Sequence, residues 1–429
     1  MQAFVIARGG RTPIKVNSSA KIKAGGAGTV YAMSDVGFSN SVVKIYHDPA
    51  KHANRAKLAA MLANPPTEVA AKISGKDYVQ FAWPTHLVED QRGVCIGFVM
   101  PKIDMTDSKP ASFYTETRDS QTLTADQRSI AGRLSVCANL AALLENLHNC
   151  GHAFIDIKFD NIRLFPKAAV CSFIDCDGYR IVGKDGTVYP GEMATQEFYS
   201  PELIKNKNPK LLGEPHDRFA LAVLMFKILN FGVSPFQGIP LSQRLTSQNS
   251  FDPLTYIAEG LYPYGHRKHP EIAPQPASVH ESWDIATLSM FSRAFTAQTP
   301  EQRPKASEWR KHFRSMLSTS WSEVCSKHPK DVEHIHFKNR PCHMCLMLAK
   351  VQGASVNSQP GISGSGLTGT VISSGHPSAG SSAAGSQPPG IQLPPPEPFG
   401  TGKIIGLTII VLFVLFILWA MVTASGSRI

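Results

Sequence analysis

The sequence lacks a dense run of lysine or arginine, and its first ten residues lack a long apolar core. The formal net charge of +10 and the pI near 9.1 fit a membrane surface or a phosphate-rich ligand as well as nucleic acid. Because no run of lysine or arginine is dense enough to favour nucleic acid, we expect no nucleic-acid partner. Because the first ten residues lack a long apolar core, we expect no secretory signal peptide. The chain has only eight cysteines among 429 residues. The first five are scattered in mostly apolar surroundings, which indicates reduced, buried thiols and argues against a disulfide framework.

The stretch from Gly151 to Asn161 contains the pattern D-x-K-x-x-N, formed by Asp156, Lys158 and Asn161. In phosphoryl transfer, an aspartate at this spacing accepts the proton of the attacking hydroxyl, and a lysine neutralises the transferred group. The asparagine supplies a neutral oxygen to a magnesium ion. Three polar residues within six positions also suit an ordinary solvated turn, so the interpretation depends on the rest of the chain.

A glycine-rich segment lies near the N-terminus, where Gly25, Gly26 and Gly28 precede the β-prone Val30. Backbone without side chains can approach phosphates closely and offer N–H donors. Lys44 lies among apolar residues in the next predicted strand, where a charge requires a partner or a ligand. The spacing predicts a hairpin that brings Lys44 back to the same phosphates. An ordinary glycine-rich hairpin is the alternative.

Two carboxylates, Asp175 and Asp177, follow a short hairpin that we predict for residues 162–164 and 170–174. Carboxylates at the end of a strand suit magnesium binding, because hard cations prefer oxygen ligands. A simple Asx turn would carry the same residues. The sequence leaves open which of the two aspartates would bind the metal.

In their order and spacing, these segments resemble a eukaryotic-type (Hanks-type) protein kinase domain in its divergent bacterial form, over roughly residues 21–317. The resemblance implies an α+β, bilobal fold, with a small β-rich N-lobe to about residue 103 and a helical C-lobe after it. It also extends to the end of the activation segment, from Thr195 to Glu202, and to Asp217 and Arg303, of which the arginine would pair with Glu202. A helical segment from Arg133 to Leu147 would lead into the catalytic loop, and a strongly apolar helix from Phe219 to Leu229 would follow Asp217.

The resemblance implies specific roles for the residues quoted above. ATP would lie under the glycine-rich loop with Mg²⁺ (or Mn²⁺), and the catalytic residues would be Asp156 and Lys158. Nucleotide or metal binding would involve Gly25, Gly26, Gly28, Val30, Lys44 and Asn161, with Asp175 or Asp177 as the second metal ligand. The implied function is transfer of the ATP γ-phosphoryl group to serine or threonine hydroxyls of proteins.

The sequence departs from the family pattern at three places. Lys23 replaces the first glycine of the usual loop, and Phe154-Ile155 replace the usual His-Arg before Asp156. Residues 51–64, which we predict to be helical in part, contain no aspartate or glutamate to pair with Lys44. Either a carboxylate from elsewhere fixes Lys44, or only nucleotide holds it. These departures keep open a pseudokinase that acts as a nucleotide-binding or scaffolding module at the membrane.

A cysteine–histidine cluster follows the kinase-like region, in residues 318–350. Thiolates and imidazoles at such spacing are typical zinc ligands, and so short a segment cannot build its own core. We predict a structural zinc site formed by Cys325, Cys342, Cys345 and one of His334 or His336. Ordinary reduced thiols beside a histidine-rich surface are the alternative.

The C-terminal part consists of a Gly/Ser/Pro-rich segment, residues 351–402, and an apolar segment, residues 403–424. The composition of the first predicts a disordered linker. Residues 404–422 are uncharged and would span roughly 28 Å as a helix, about the thickness of a bilayer core. We predict a single-pass anchor with the kinase-like body on the cytoplasmic side of a bacterial inner membrane. Residues 1–20 are interpreted as a polar lead-in, and the resemblance implies protein substrates and a PP2C-type phosphatase as partners.

Overall fold

The computed structural model describes residues 1–7, 10–246 and 252–356. The predicted linker and membrane anchor lie outside this range, apart from residues 351–356, which belong to a helix. Within the described part of the chain, no helix combines the length and the apolar composition needed to cross a membrane. The described residues form a mixed α+β structure, with a β-sheet in the N-terminal region and helices after it, which is compatible with a kinase fold.

An antiparallel seven-stranded sheet dominates the N-terminal region, in the order β2-β1-β8-β9-β5-β4-β3. A separate hairpin, β6–β7, follows the two helices of this region. The elements are β1 (Gln2–Ala7), β2 (Gly10–Lys15), β3 (Lys21–Ala24), β4 (Gly28–Ala32), β5 (Ser41–Tyr46), α1 (Pro49–His52), α2 (Arg55–Ala63), β6 (Ala70–Ile73), β7 (Lys76–Val79), β8 (His86–Glu89) and β9 (Cys95–Pro101).

The first residues differ from the polar lead-in expected for residues 1–20. Strand β1 pairs with β2 and also with β8, so these residues extend the main sheet. Ala3 and Val5 are buried, and they pack with Val88 and Val99 in a hydrophobic cluster separate from the main core. Burial alternates along β1, but residues 3–7 form one continuous apolar run, and this short run is the signal for a strand that the polar composition of the rest of the segment obscured.

The helical stretch expected near residues 49–62 is divided into α1 and α2. Each helix has its own N-cap: the side chain of Asp48 accepts from Lys51 N, and that of Asn54 accepts from Lys57 N. Aspartate and asparagine at these positions favour helix initiation over continuation, because their side chains bond backbone N–H groups. The break at Asn54 therefore sets the start of α2, the longer helix beside the sheet.

Helices form the core of the remaining region, and the two longest, α5 and α7, are buried along most of their length. Both helices were expected from apolar runs, as was the β11–β12 hairpin. The elements are β10 (Lys109–Pro110), α3 (Thr117–Ser120), α4 (Ala125–Arg128), α5 (Ile130–Asn149), β11 (Ile162–Phe165), β12 (Val170–Phe173), β13 (Ile181–Val182), β14 (Val188–Tyr189), α6 (Pro201–Asn206), α7 (Glu214–Leu229), β15 (Gly238–Pro240), α8 (Gln243–Thr246), α9 (Pro253–Ala258), β16 (Ile272–Pro274), α10 (Ile285–Thr296) and α11 (Ala306–Ser318).

The cysteine–histidine segment contains β17 (Ser322–Glu323), β18 (His336–Phe337) and α12 (His343–Val356). It packs against the helical region and contributes little core of its own. Glu333 pairs with Arg128 of α4, and Arg340 Nη2 donates to Glu281 O at 2.6 Å. The His343 ring stacks on Phe231, just beyond α7. The segment is therefore built onto the helical region through contacts on several elements.

Candidate active site

The loop that carries Asp156 is held by a buried carboxylate from α7. Asp217 lies in the first turn of that helix and is 0% exposed. Its two oxygens accept hydrogen bonds from Phe154 N at 2.7 Å and Ile155 N at 2.8 Å. Ile155 has a φ of 65°, in the left-handed region that a β-branched residue rarely adopts. Asp217 therefore stabilises a strained backbone that sets the direction of the next residue, Asp156.

Asp156 lies at the centre of a compact polar group. Its Oδ1 accepts a hydrogen bond from the Thr195 hydroxyl at 2.6 Å, and its Oδ2 lies 2.7 Å from Lys158 Nζ. Asn161 Nδ2 donates to the Asp156 backbone oxygen at 3.1 Å and to Oδ2 at 3.2 Å. The structure thus brings the three residues of the D-x-K-x-x-N pattern together and adds a hydroxyl group from the predicted activation segment.

Lys44 lies on β5 and points at both candidate metal ligands. Its Nζ is 2.8 Å from Asp175 Oδ1 and 2.8 Å from Asp177 Oδ1. The Tyr46 hydroxyl, two residues along the same strand, donates to Asp177 Oδ2 at 2.9 Å. A carboxylate from elsewhere in the chain fixes Lys44, which is the first of the two alternatives that the sequence left open. It comes from the loop after β12, and not from a helix beside the sheet.

Burial and charge act in opposite directions on these groups. Burial lowers the pKa of Lys44, but Asp177 and Asp175 outweigh burial and raise that pKa above its ordinary value. Burial raises the pKa of Asp175, but Lys44 reverses this effect and brings the pKa below its usual range. Burial together with Asp177 raises the pKa of Tyr46. The lysine is therefore a cation and Asp175 a carboxylate at neutral pH.

The two aspartates differ in exposure and backbone conformation. The Asp175 side chain is 59% exposed, whereas that of Asp177 is 11% exposed. Asp175 has a φ of 62° and precedes a single 3₁₀ turn from Cys176 to Gly178. The backbone also links this loop to the catalytic segment, because Ile174 N donates to Asn161 O at 3.0 Å. Asp175 is thus accessible for a ligand beside Asn161, while Asp177 is enclosed with Lys44 and Tyr46.

The glycine-rich segment forms the turn between β3 and β4. Gly25 N donates to Gly28 O at 2.9 Å, while Gly25 and Gly26 are exposed. A Cβ atom at Gly28 would lie 2.6 Å from Ile45 O, so β5 passes too close for any side chain there. Val30 is paired with Lys44 in the β4–β5 register, and the predicted hairpin is present.

Helix α2 contributes a cation to this site. Lys57 is 8% exposed, and its Nζ donates to Pro190 O at 3.3 Å. Burial lowers the pKa of Lys57 to about 8, although Asp177 and Glu192 act in the opposite direction. The sequence showed only that this helix lacks acidic residues. The inward direction of Lys57 depends on where α2 begins, and the N-cap Asn54 is the one local signal for that start.

The end of the predicted activation segment is fixed by ion pairs with the helical region. Arg303, which is 4% exposed, pairs with both oxygens of Glu202 at 2.7 Å. Lys227 of α7 pairs with Glu197. The expected pairing of Arg303 with Glu202 is confirmed. These contacts hold the segment that contains Thr195 against α7.

A separate group of potential metal ligands lies in the cysteine–histidine segment. Cys325, His334, Cys342 and Cys345 place their ligand atoms within 4.8 Å of one another. His334 Nδ1 is 3.4 Å from the sulfur of Cys342 and 3.5 Å from that of Cys345. His336 does not belong to this group; its Nδ1 donates to Phe337 O at 3.1 Å. Three thiols and one imidazole in this arrangement could hold a metal ion, which favours His334 over His336.

Comparison with known proteins supports a kinase-like protein. The chain is 30% identical to the protein named protein kinase YegI in two strains of Escherichia coli, over 303 and 294 residues. These alignments cover 68% and 66% of this chain and 44% and 42% of the relatives. It is 32% identical over 99 residues to the serine/threonine-protein kinase ppk34 of Schizosaccharomyces pombe, covering 23% of this chain and 27% of that protein. The chain thus spans less than half the length of these relatives, and no family model matches it.

Several contacts of the site were not predictable from residue patterns. Thr195 contacts Asp156 across 39 positions of sequence, and Lys57 contacts Pro190 across 133. Both depend on how the activation segment folds back between α2 and the catalytic loop. The capping residue Asn54 was the only sequence signal that bears on either contact.

Proposed function

We propose that this chain is a membrane-tethered protein serine/threonine kinase that transfers the ATP γ-phosphoryl group to protein hydroxyls. The observation that carries the proposal is the hydroxyl of Thr195, which donates to Asp156 at 2.6 Å. A carboxylate that already accepts the hydrogen bond of an alcohol is placed as a base for that proton. Lys158, at 2.7 Å from the other oxygen of Asp156, supplies positive charge at the same point.

The two aspartates are proposed to have different roles. Asp175 is exposed and directly follows Ile174, whose N–H donates to Asn161 O, so Asp175 and Asn161 are the proposed magnesium ligands. When bound, the metal would neutralise phosphate charge and orient the transferred group. Asp177 is enclosed between Lys44 and Tyr46, and its proposed role is to hold Lys44, in the absence of a helix glutamate, until nucleotide binds.

Lys44 and the glycine-rich turn are proposed to bind the nucleotide. The exposed backbone of Gly25 and Gly26 leaves room for phosphates, and Gly28 lets β4 and β5 approach closely. Lys44 would reach the phosphates from β5 and would leave its carboxylate partner Asp177. Asp156 would then accept the proton of an incoming serine or threonine, and Lys158 would stabilise the transferred phosphoryl group.

A pseudokinase remains the second candidate because of one specific observation. Lys44 is paired with both Asp175 and Asp177, so phosphates must compete with two carboxylates for the same cation. A chain in which this pairing persisted would bind nucleotide weakly and would act as a scaffold. Rearrangement of a charge-paired lysine on nucleotide binding is required for the kinase.

The segment from residue 318 to 350 is proposed to hold a structural zinc ion. Cys325, His334, Cys342 and Cys345 supply the thiol and imidazole ligands that tetrahedral zinc prefers. We also propose that the apolar residues 404–422 anchor the chain in a membrane and restrict its substrates to proteins that reach that surface. A PP2C-type phosphatase as partner rests only on the family resemblance.

The test is phosphate transfer by the full chain in detergent, with labelled ATP, magnesium and a generic acceptor protein. Incorporation on serine or threonine that disappears in Asp156→Ala and Lys44→Ala is the expected result. Absence of incorporation by a chain that still binds Mg-ATP would favour the pseudokinase. Phosphotyrosine as the product would contradict the proposed specificity.

A further inference from the structure

Helix α2 has no acidic side chain of its own, and other contacts fix it beside the site: Arg55 pairs with Glu89 of β8. Trp83 Nε1 donates to Met61 O at 2.9 Å and holds the helix beside the sheet. At its C-terminal end, Asn64 Nδ2 donates to Val182 O at 2.9 Å, and His152 Nε2 donates to Asn64 O at 2.8 Å. The helix is thus anchored both at the start of the activation segment and at the catalytic loop.

Near its N-terminal end, the same helix directs Lys57 into the protein. The Lys57 ammonium has three N–H groups, but among the described residues its single hydrogen-bond acceptor is Pro190 O. The side chain is 8% exposed. A buried ammonium with one partner at 3.3 Å is poorly satisfied, so it is available for a second, charged partner.

Under the proposed function, Asp177 would need a new cationic partner when nucleotide binds. In the structure described here, Lys44 balances Asp177 at 2.8 Å. Under the proposed function, Lys44 moves toward phosphate and Asp175 toward magnesium. Asp177, whose side chain is 11% exposed, would then keep only the neutral Tyr46 hydroxyl. An unpaired carboxylate at that depth is unfavourable, and a cation must approach it.

We propose that Lys57 is a positioning residue, which ties α2 to the activation segment at Pro190 and neutralises Asp177 once Lys44 engages the nucleotide. The inference rests on the proposed function. The family pattern has an acidic residue on this helix that pairs with Lys44. Here a basic residue on α2 would instead pair with the acidic Asp177. The helix would then couple nucleotide binding to the position of the segment that contains Thr195.

The test compares three variants of the full chain. Lys57→Met removes the charge but retains a long side chain, Lys57→Arg retains the charge, and Lys51→Met is the control at an exposed lysine of α1. Since burial disfavours the Lys57 charge, methionine is expected to keep the thermal stability, so any loss of binding would not reflect unfolding. The measurements are trypsin cleavage after the exposed Lys184 without nucleotide, and the Kd for Mg-ATP.

We expect Lys57→Met to accelerate cleavage after Lys184 and to weaken Mg-ATP binding, each on the order of tenfold. Lys57→Arg should restore most of both properties, and Lys51→Met should match the wild type. Unchanged cleavage and binding in Lys57→Met, or no rescue by arginine, would overturn the inference. A wild-type chain that bound Mg-ATP without transferring phosphate would overturn the kinase function alone, whereas one that bound no Mg-ATP would overturn both.

Discussion

Replacement of Asp217 by asparagine is expected to destabilise the protein, because one buried backbone N–H loses its acceptor. The two carboxylate oxygens accept from Phe154 N and Ile155 N, and His148 Nε2 donates to Oδ2 at 3.0 Å. Asparagine can accept through one oxygen, whereas its amide nitrogen cannot accept the second N–H. A buried group left unpaired costs roughly 1–3 kcal/mol. We therefore expect a loss of about 2 kcal/mol in the free energy of unfolding.

Alanine at the same position removes both acceptors, so the expected loss is about 4 kcal/mol. Asp185→Ala is the matched control, because Asp185 is exposed and its carboxylate accepts from Thr187 within the same turn. It should change the stability by less than about 1 kcal/mol. The assay is urea denaturation followed by tryptophan fluorescence. Equal stabilities for Asp217→Asn, Asp217→Ala and the wild type would refute the claim that Asp217 holds the catalytic loop.

Two further predictions concern metal binding and pH. His334→Ala should lose the bound zinc, whereas His336→Ala should retain it. Elemental analysis of the purified chain measures the zinc content, and the reverse result would contradict the assignment of His334. Burial lowers the pKa of His280 to about 4, so the unfolded chain binds more protons between about pH 6.5 and 4. The stability should therefore fall by up to about 3 kcal/mol as the pH drops through that window, and His280→Gln should lose that part of the slope in urea denaturation at several pH values. An unchanged slope would contradict a neutral, buried His280.

The sequence allowed a prediction where a local pattern determines the structure. The apolar runs of α5 and α7 predicted buried helices, because such faces have no stable place at a surface. The hairpin that carries Lys44 was predictable from another local pattern, glycines followed by β-prone residues. The continuous apolar run at residues 3–7 was available as a signal for β1, but the polar composition of residues 1–20 led to the interpretation as a lead-in.

Other features depend on tertiary contacts that no local pattern encodes. His334 and His336 are chemically equivalent ligands in the sequence, and only the backbone path places one of them beside Cys342. The pairing of Lys44 with Asp175 and Asp177 joins residues more than 130 positions apart. The absence of an acidic residue on α2 left two alternatives for Lys44, a distant carboxylate or nucleotide alone, and it did not identify the partner.

The most direct measurement of the central claim is the initial rate of phosphate transfer in Asp156→Asn compared with Asp160→Asn. Both variants remove one carboxylate from the same loop, but Asp160 is exposed while Asp156 contacts Thr195, Lys158 and Asn161. If Asp156 accepts the hydroxyl proton, its loss should lower the rate by about a hundredfold or more. Asp160→Asn should stay within about tenfold of the wild type. Equal rates in the two variants would contradict Asp156 as the catalytic base and, with it, the proposed phosphotransfer site.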